Sequence, residues 1–273
     1  DLLFVAGFNM GAKGAAIATV LAQAISVLLS YVIIKKIDLP FSFSMNYIKP
    51  KALYIKETLK LGIPIALQDL LVSISFLFIF AIVNSLGLTP SAGVGVAEKL
   101  CRFLMLVPSA YMQSMSAFVA QNIGAKKPDR AKKALWYGIA SSVVVGLFMA
   151  YLTYFHGEIL SGIFAKDPKI ILASTEYLKA YAWDCILTSF LFCFIGYFNG
   201  LGKTTFVMVQ GIIGAFAVRL PLSWIMSKQV PVSLYKIGLA TPASSVVQIL
   251  LCFGFFILCN KKLHNSTLKE ANL

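Results

Sequence analysis

Leu61–Leu86 reads LGIPIALQDLLVSISFLFIFAIVNSL, an apolar run with one charged residue, Asp69. As a helix it is long enough to cross the ~30 Å hydrocarbon core of a bilayer. A strand of a transmembrane barrel would alternate polar and apolar residues, and this run does not. Six more stretches of the same kind flank it: Gly14 to Ile34, Phe103 to Ile123, Ala134 to Phe155, Ala180 to Leu201, Thr204 to Met226 and Ile237 to Asn260. The third and fifth spans in chain order are predicted to begin earlier, near Ser91 and Ile170, where the flanking sequence stays helix-compatible despite its charges. Composition agrees, since 59% hydrophobic residues, 13% charged residues and a mean hydropathy of +0.81 lie far from the balance of a soluble domain. The fold class is therefore an all-α integral membrane protein with seven spans.

The sequence begins at Asp1 with no methionine, and its first apolar run shows no secretory cleavage site, so the expectation is that the native start lies upstream. The net charge of +13 follows topology. Lys35, Lys36, Lys49, Lys51, Lys56 and Lys60 follow span one; Lys126, Lys127, Arg130, Lys132 and Lys133 follow span three; Lys203 follows span five; Lys261, Lys262 and Lys269 follow span seven. The opposite side carries fewer basic residues. The richer side is expected to be cytoplasmic, which puts the C-terminus inside a multi-pass protein of the cell membrane. Nucleic acid is not an expected partner, because these charges are scattered over loops without an aromatic platform between them.

Cys101, Cys185, Cys193, Cys252 and Cys259 form no CxxC pair, and His156 and His264 sit at span ends. No metal, no cofactor and no enzyme activity is expected from such a set, since the spans offer acids without a histidine partner. A membrane-embedded scaffold without transport remains an alternative reading of these residues.

The first and last spans resemble each other. Each begins at a glycine, Gly14 or Gly238, continues through Ala18 to Gln23 or Ala243 to Gln248, and leaves through Lys35 and Lys36 or Lys261 and Lys262. If they are equivalent elements, span one ends an earlier bundle and spans two to seven form a complete six-helix bundle. Between them Asp38 to Lys60, with Pro40 and Pro50, reads as a linker whose later part, with Tyr47, Ile48, Leu53, Tyr54 and Ile55, lies along the headgroups.

Several short strings, in this order and spacing, resemble the multidrug and toxic-compound extrusion (MATE) transporters. They are Met10 to Thr19 entering span one, Leu61-Gly62-Ile63-Pro64 opening span two, Gln121 to Ala125 with Arg130-Ala131 after span three, and Asn199 to Thr204 closing span five. The resemblance implies two six-helix lobes around a cleft and export of cationic or amphipathic small molecules in exchange for protons or sodium ions. It divides the chain into the last N-lobe helix (residues 1–37), a cytoplasmic inter-lobe linker (38–60), the C-lobe bundle (61–262) and a cytoplasmic tail (263–273). The otherwise missing N-lobe is then required for function. Sodium-coupled members carry an acidic residue on each of spans two and five, at places corresponding here to Val72 and Thr188; Asp69 and Asp184 lie about one turn from these.

A carboxylate at bilayer depth costs at least ~2.5 to 3.5 kcal/mol, so each needs a reason. Asp69 and Asp184 both fall near the middle of their spans, and both are candidates to bind the coupling cation. Each reads alternatively as a packed polar contact between helices. On span five Tyr177, Tyr181, Asp184, Thr188 and Asn199 recur on one face, which should avoid lipid. On span two Gln68, Asp69 and Ser73 form a candidate hydrogen-bonding cluster. Gln113, with Gln210 and Gln248, is a further candidate to line the cleft. Glu98 and Arg102 are spaced as an interfacial ion pair, and Arg219, just before Pro221, reads as structural, snorkelling outward or pairing with a carboxylate. Pro64, Pro108, Pro221 and Pro242 are each expected to interrupt a span. Met105, Met112 and Met115, with Tyr111 and Phe118, read either as helix packing or as an adaptable apolar wall.

Overall fold

The structure is a computed structural model that describes residues 3–36 and 51–271, with side chains at all of these except Ala6 and residues 260–271. It divides into two compact units, Asp1–Ile55 and Lys56–Leu273. In the first unit α1 (Gly11–Lys36) follows a π-helical turn, Leu3–Gly7. Gly14 allows this turn to come close, because a Cβ there would lie 2.8 Å from the Phe4 carbonyl oxygen. Gly14 and Ala18 are the buried residues of α1, and its remaining apolar surface is open. Residues 37–50, which hold Pro40, Tyr47, Ile48 and most of the expected linker, lie outside the described residues.

The remaining elements are α2 (Ala52–Asn84), α3 (Leu88–Leu104), α4 (Leu106–Gly124), α5 (Pro128–Phe155), α6 (Gly157–Gly162), α7 (Pro168–Gly200), α8 (Thr204–Ile212), a π-helical segment Ile213–Arg219, α9 (Leu220–Ser227), α10 (Leu234–Gly238) and α11 (Ala240–Ala271). Among the described residues all regular structure is helical, and seven helices or helix pairs are long and apolar enough to span a membrane. They coincide with the seven predicted spans, and the third and fifth begin early, at Leu88 and Pro168. The second also begins early. Lys56, Glu57 and Lys60 end its hydropathy signal but are good helix formers, so the helix runs unbroken from Ala52.

Local chemistry sets the ends. Asp167 caps α7, its Oδ1 accepting the Lys169 N–H at 2.9 Å, and Pro168 follows at the first helical position. Two of the strings that carry the family resemblance are helix stops of one design. After α4 the Lys127 N–H reaches the Asn122 carbonyl at 2.8 Å around Lys126, whose φ is +58°; after α7 the Lys203 N–H reaches the Phe198 carbonyl at 2.8 Å around Gly202, whose φ is +71°.

Three of the four expected proline interruptions are found. Span three divides at Met105 upstream of Pro108, span six turns π-helical before Pro221, and span seven divides at Leu239 before Pro242. Pro64 differs, as α2 continues through it. A helix accommodates a proline where neighbouring groups absorb the lost bond.

The bundle is organised around α7, which packs against α3, α4, α5, α6, α8, α10 and α11. Small residues bring the backbones together. Gly196 and Gly200, in a GxxxG spacing, lie against α4, where a Cβ on Gly200 would be 2.7 Å from the Ser116 carbonyl oxygen and one on Gly196 would strike that of Met112. Gly196→Val is therefore expected to overpack this contact by about 1–3 kcal/mol. The purified protein should melt several degrees lower, whereas Gly254→Ala, inside α11 where an added Cβ meets nothing within 4 Å, should not lower the melting temperature.

Two apolar clusters result. One joins Ile79, Val83, Val94, Ala97, Tyr177, Leu178, Tyr181 and Ile237. The other joins Met115, Val119, Leu135, Phe194, Phe198, Val207 and Phe256, where the Phe206 and Phe255 rings stack at 3.9 Å.

Candidate functional site

A polar seam lies where these clusters meet. Its centre is Asp184, the middle residue of α7, which is 2% exposed. The Ser245 hydroxyl on α11 donates to Asp184 Oδ1 at 2.5 Å, and one turn along α7 the Thr188 hydroxyl donates back to the Asp184 carbonyl at 2.7 Å. Neighbouring Ser244 donates to the carbonyl of Gly214 at 2.7 Å and accepts from Gln248 Nε2 at 3.0 Å. The Gln248 amide fills the space that a side chain at Gly214 would need. Helix α11 thus presents Ser244, Ser245 and Gln248 to two partners at once, α7 and the π-helical segment.

That segment ends at Arg219. A π-helical turn holds one more residue than an α-helical one and recurs at functional sites. Here it precedes Pro221, which brings no N–H to the ladder. Arg219 is 6% exposed, so it does not snorkel to an interface. Its Nη1 donates to Ser75 Oγ of α2 at 3.4 Å, and its guanidinium carbon lies 4.4 Å from the centre of the Phe76 ring. Arg219 and Asp184 feel each other's charge but do not close an ion pair within 4 Å. Arg219 Nε, Ser223 Oγ and Thr241 Oγ1 are buried without a hydrogen-bond partner among the described residues. Ser223 lies one turn after Arg219, and Thr241 one turn before Ser245. The seam therefore carries one carboxylate, one guanidinium and spare hydrogen-bonding capacity in a site closed to lipid.

The polar stripe expected on span five is turned inward: Tyr177, Tyr181, Asp184 and Thr188 are buried and Asn199 is half-buried with its Oδ1 unpartnered. The cluster expected on span two is divided. Gln68 turns inward against Gly211, whereas Asp69 and Ser73 stay on an exposed face, with the Ser73 hydroxyl on the Asp69 carbonyl rather than its carboxylate. Successive helical residues point about 100° apart, so Gln68 and Asp69 do not share a face. Val72 is half-buried and Gln113 exposed. Gln210 is buried and donates to the Val207 carbonyl at 3.0 Å. Glu98 and Arg102 do not close the expected ion pair within 4 Å. Sequence reasoning takes Arg219 as structural or paired with a carboxylate and does not single out Ser75, Ser244 or Ser245 as site residues; a serine doublet in the last span is the available signal. Among the described residues there is no group of three or more His, Cys, Asp or Glu placed to hold a metal ion.

Seven apolar spans, with a buried seam holding a carboxylate and a guanidinium inside the second unit, define a multi-pass membrane protein. Residues 64–225 match the family model for MatE, and the chain belongs to that family, whose members are transporters rather than enzymes and need no cofactor. It is 24% identical over 265 residues to the probable multidrug resistance protein YoeA of Bacillus subtilis (strain 168), covering 96% of this chain and 57% of that protein. It is 24% identical over 218 residues to the multidrug export protein MepA of Staphylococcus saprophyticus, covering 78% and 48%. Among solved structures, a MOP superfamily transporter from Pyrococcus furiosus, reported for the reverse polarity of its binding pocket, superposes with a TM-score of 0.87 at 17% identity, covering 96% of this chain and 59% of that one. The chain spans about half the length of the curated relatives it matches.

Proposed function

We propose that this chain supplies the ion-coupled half of a secondary-active antiporter that exports organic cations or amphipathic compounds in exchange for protons or sodium ions. The carrying observation is Asp184: a carboxylate buried mid-helix, held by Ser245 and facing an arginine it does not bind directly. Such a group takes up a cation in one conformation and yields it in another, which is what exchange needs. On this reading Asp69 serves from the exposed face of α2, where a second lobe outside the chain would meet it together with Gln113 and Ser73. Residues 61–262 form the C-lobe, 1–37 the last N-lobe helix and 38–60 the linker, with the C-terminus in the cytoplasm and the protein in the cell membrane. Multidrug resistance and export in the names of YoeA and MepA support this substrate class.

The test is efflux of a fluorescent organic cation from cells expressing the complete protein, with the sodium and proton gradients collapsed separately. Efflux should stop when one of the two is removed. Efflux that survives both would overturn the reading. A second reading, a flippase for an isoprenoid-linked saccharide, draws on Arg219, since a guanidinium inside the bundle suits an anionic headgroup. Under that reading, transport follows a pyrophosphate-bearing lipid and ignores the organic cation.

A further inference from the structure

Away from the seam, a groove of about 520 Å³ lies between α4 and α5. We propose that it is a binding site for one anionic phospholipid, and this holds whether or not Asp184 couples to an ion. The walls are apolar along most of their length: Tyr111, Met115 and Phe118 on α4 face Tyr137 on α5. One end is basic, where Arg130 and Lys133 stand in the first two turns of α5.

The polarity of the groove runs along the helices. Residues 130 to 138 of α5 cover about 12 Å of helix, so the basic mouth sits near the helix end while the apolar walls continue toward the middle of the span. A phospholipid has this same gradient, charged outside and apolar inside. The mouth is also uncompensated. The nearby Asp129 carboxylate pairs with Lys132 at 3.8 Å, and among the described residues neither Arg130 nor Lys133 has a carboxylate within 4 Å. Arg130 is placed over the groove by the Phe118 ring, its guanidinium carbon 5.7 Å from the ring centre. The volume falls in the range of about 300–1,000 Å³ typical of small-molecule sites. Two positive charges disfavour an organic cation, which separates the groove from a site for the exported compound, and basic pockets between spans suit anionic headgroups. The charge of the mouth together with its apolar walls thus selects phosphatidylglycerol or cardiolipin over a zwitterionic lipid.

The test is native mass spectrometry of the complete protein released from nanodiscs of phosphatidylglycerol and phosphatidylcholine mixed in equal parts. One phosphatidylglycerol should be retained preferentially. Arg130→Gln with Lys133→Gln should lower that retention about thirtyfold, as expected for removing two basic side chains near the surface. Ser114→Trp, which fills the apolar part without touching the charges, should lower it as well, while Lys203→Gln, on another basic loop, should not. Unchanged melting temperatures show that the variants are folded. If phosphatidylcholine is retained equally, or if Ser114→Trp leaves retention intact so that the charges act only as a diffuse surface, the proposal fails. Retention of an organic cation in place of lipid would also overturn it.

Discussion

Asp184→Asn in the complete protein is expected to reduce ion-driven efflux at least about tenfold while leaving the protein folded, within the range by which one bound species alters the handling of another. Asparagine keeps the shape of aspartate and an oxygen that the Ser245 hydroxyl can still reach, and the Thr188 hydroxyl bonds the backbone carbonyl, which the substitution does not touch. What is lost is the charge. Efflux driven by the coupling gradient, compared at equal amounts of protein in the membrane, should therefore approach the level of cells without the protein, and the melting temperature should fall as well because Arg219 is left uncompensated. Ser245→Ala removes only the donor and should have a smaller effect. Normal efflux by Asp184→Asn would remove Asp184 from the exchange mechanism.

The second large effect is expected from Arg219→Leu. Removing one member of a buried, electrostatically linked pair leaves the other charge uncompensated at a cost of about 3–5 kcal/mol. For a bundle of this size the melting temperature should fall on the order of 10 °C. Ser75 and Phe76 would lose their contacts with the guanidinium as well, so α2 should loosen. The informative measurement is the double variant, Arg219→Leu with Asp184→Asn, in which neither charge remains. It should recover most of the loss, giving a coupling energy well above that of independent sites. Equal losses in the two backgrounds would mean that Arg219 supports α2 alone and owes nothing to Asp184.

The spans were legible because each is a long apolar run, and the inward stripe of α7 was legible because five polar residues recur on one side of it. The surroundings of Asp69 were not. In water a helix betrays its inner face by an apolar stripe; in lipid the outer face is apolar too, so that signal disappears. The inner line of α2 holds Ser75, Ile79 and Val83, with Gln68 on the same side, and nothing in its composition distinguishes it from the face that carries Asp69. The partners of Arg219 were hidden for a related reason: Ser75 and Phe76 lie 144 and 143 positions earlier, and only the assembled bundle brings them near. The early start of α2 was hidden by Lys56, Glu57 and Lys60, because hydropathy marks the membrane boundary and not the end of a helix.

The central position of α7 also bears on how the protein is made. Two thirds of its membrane-length window is buried, and its mean hydropathy of 1.5 is below the 2.3 of the largely open α2. An aspartate at mid-helix adds about 2.5–3.5 kcal/mol to the cost of entering lipid alone. Helices α2 to α6 are synthesised before it and are the neighbours available to shelter Asp184 as it leaves the translocon, while Ser245 emerges last. Biogenesis of this bundle is then expected to be cooperative, and in a chain stalled before α11 the segment expected to be most readily lost to the aqueous side is α7.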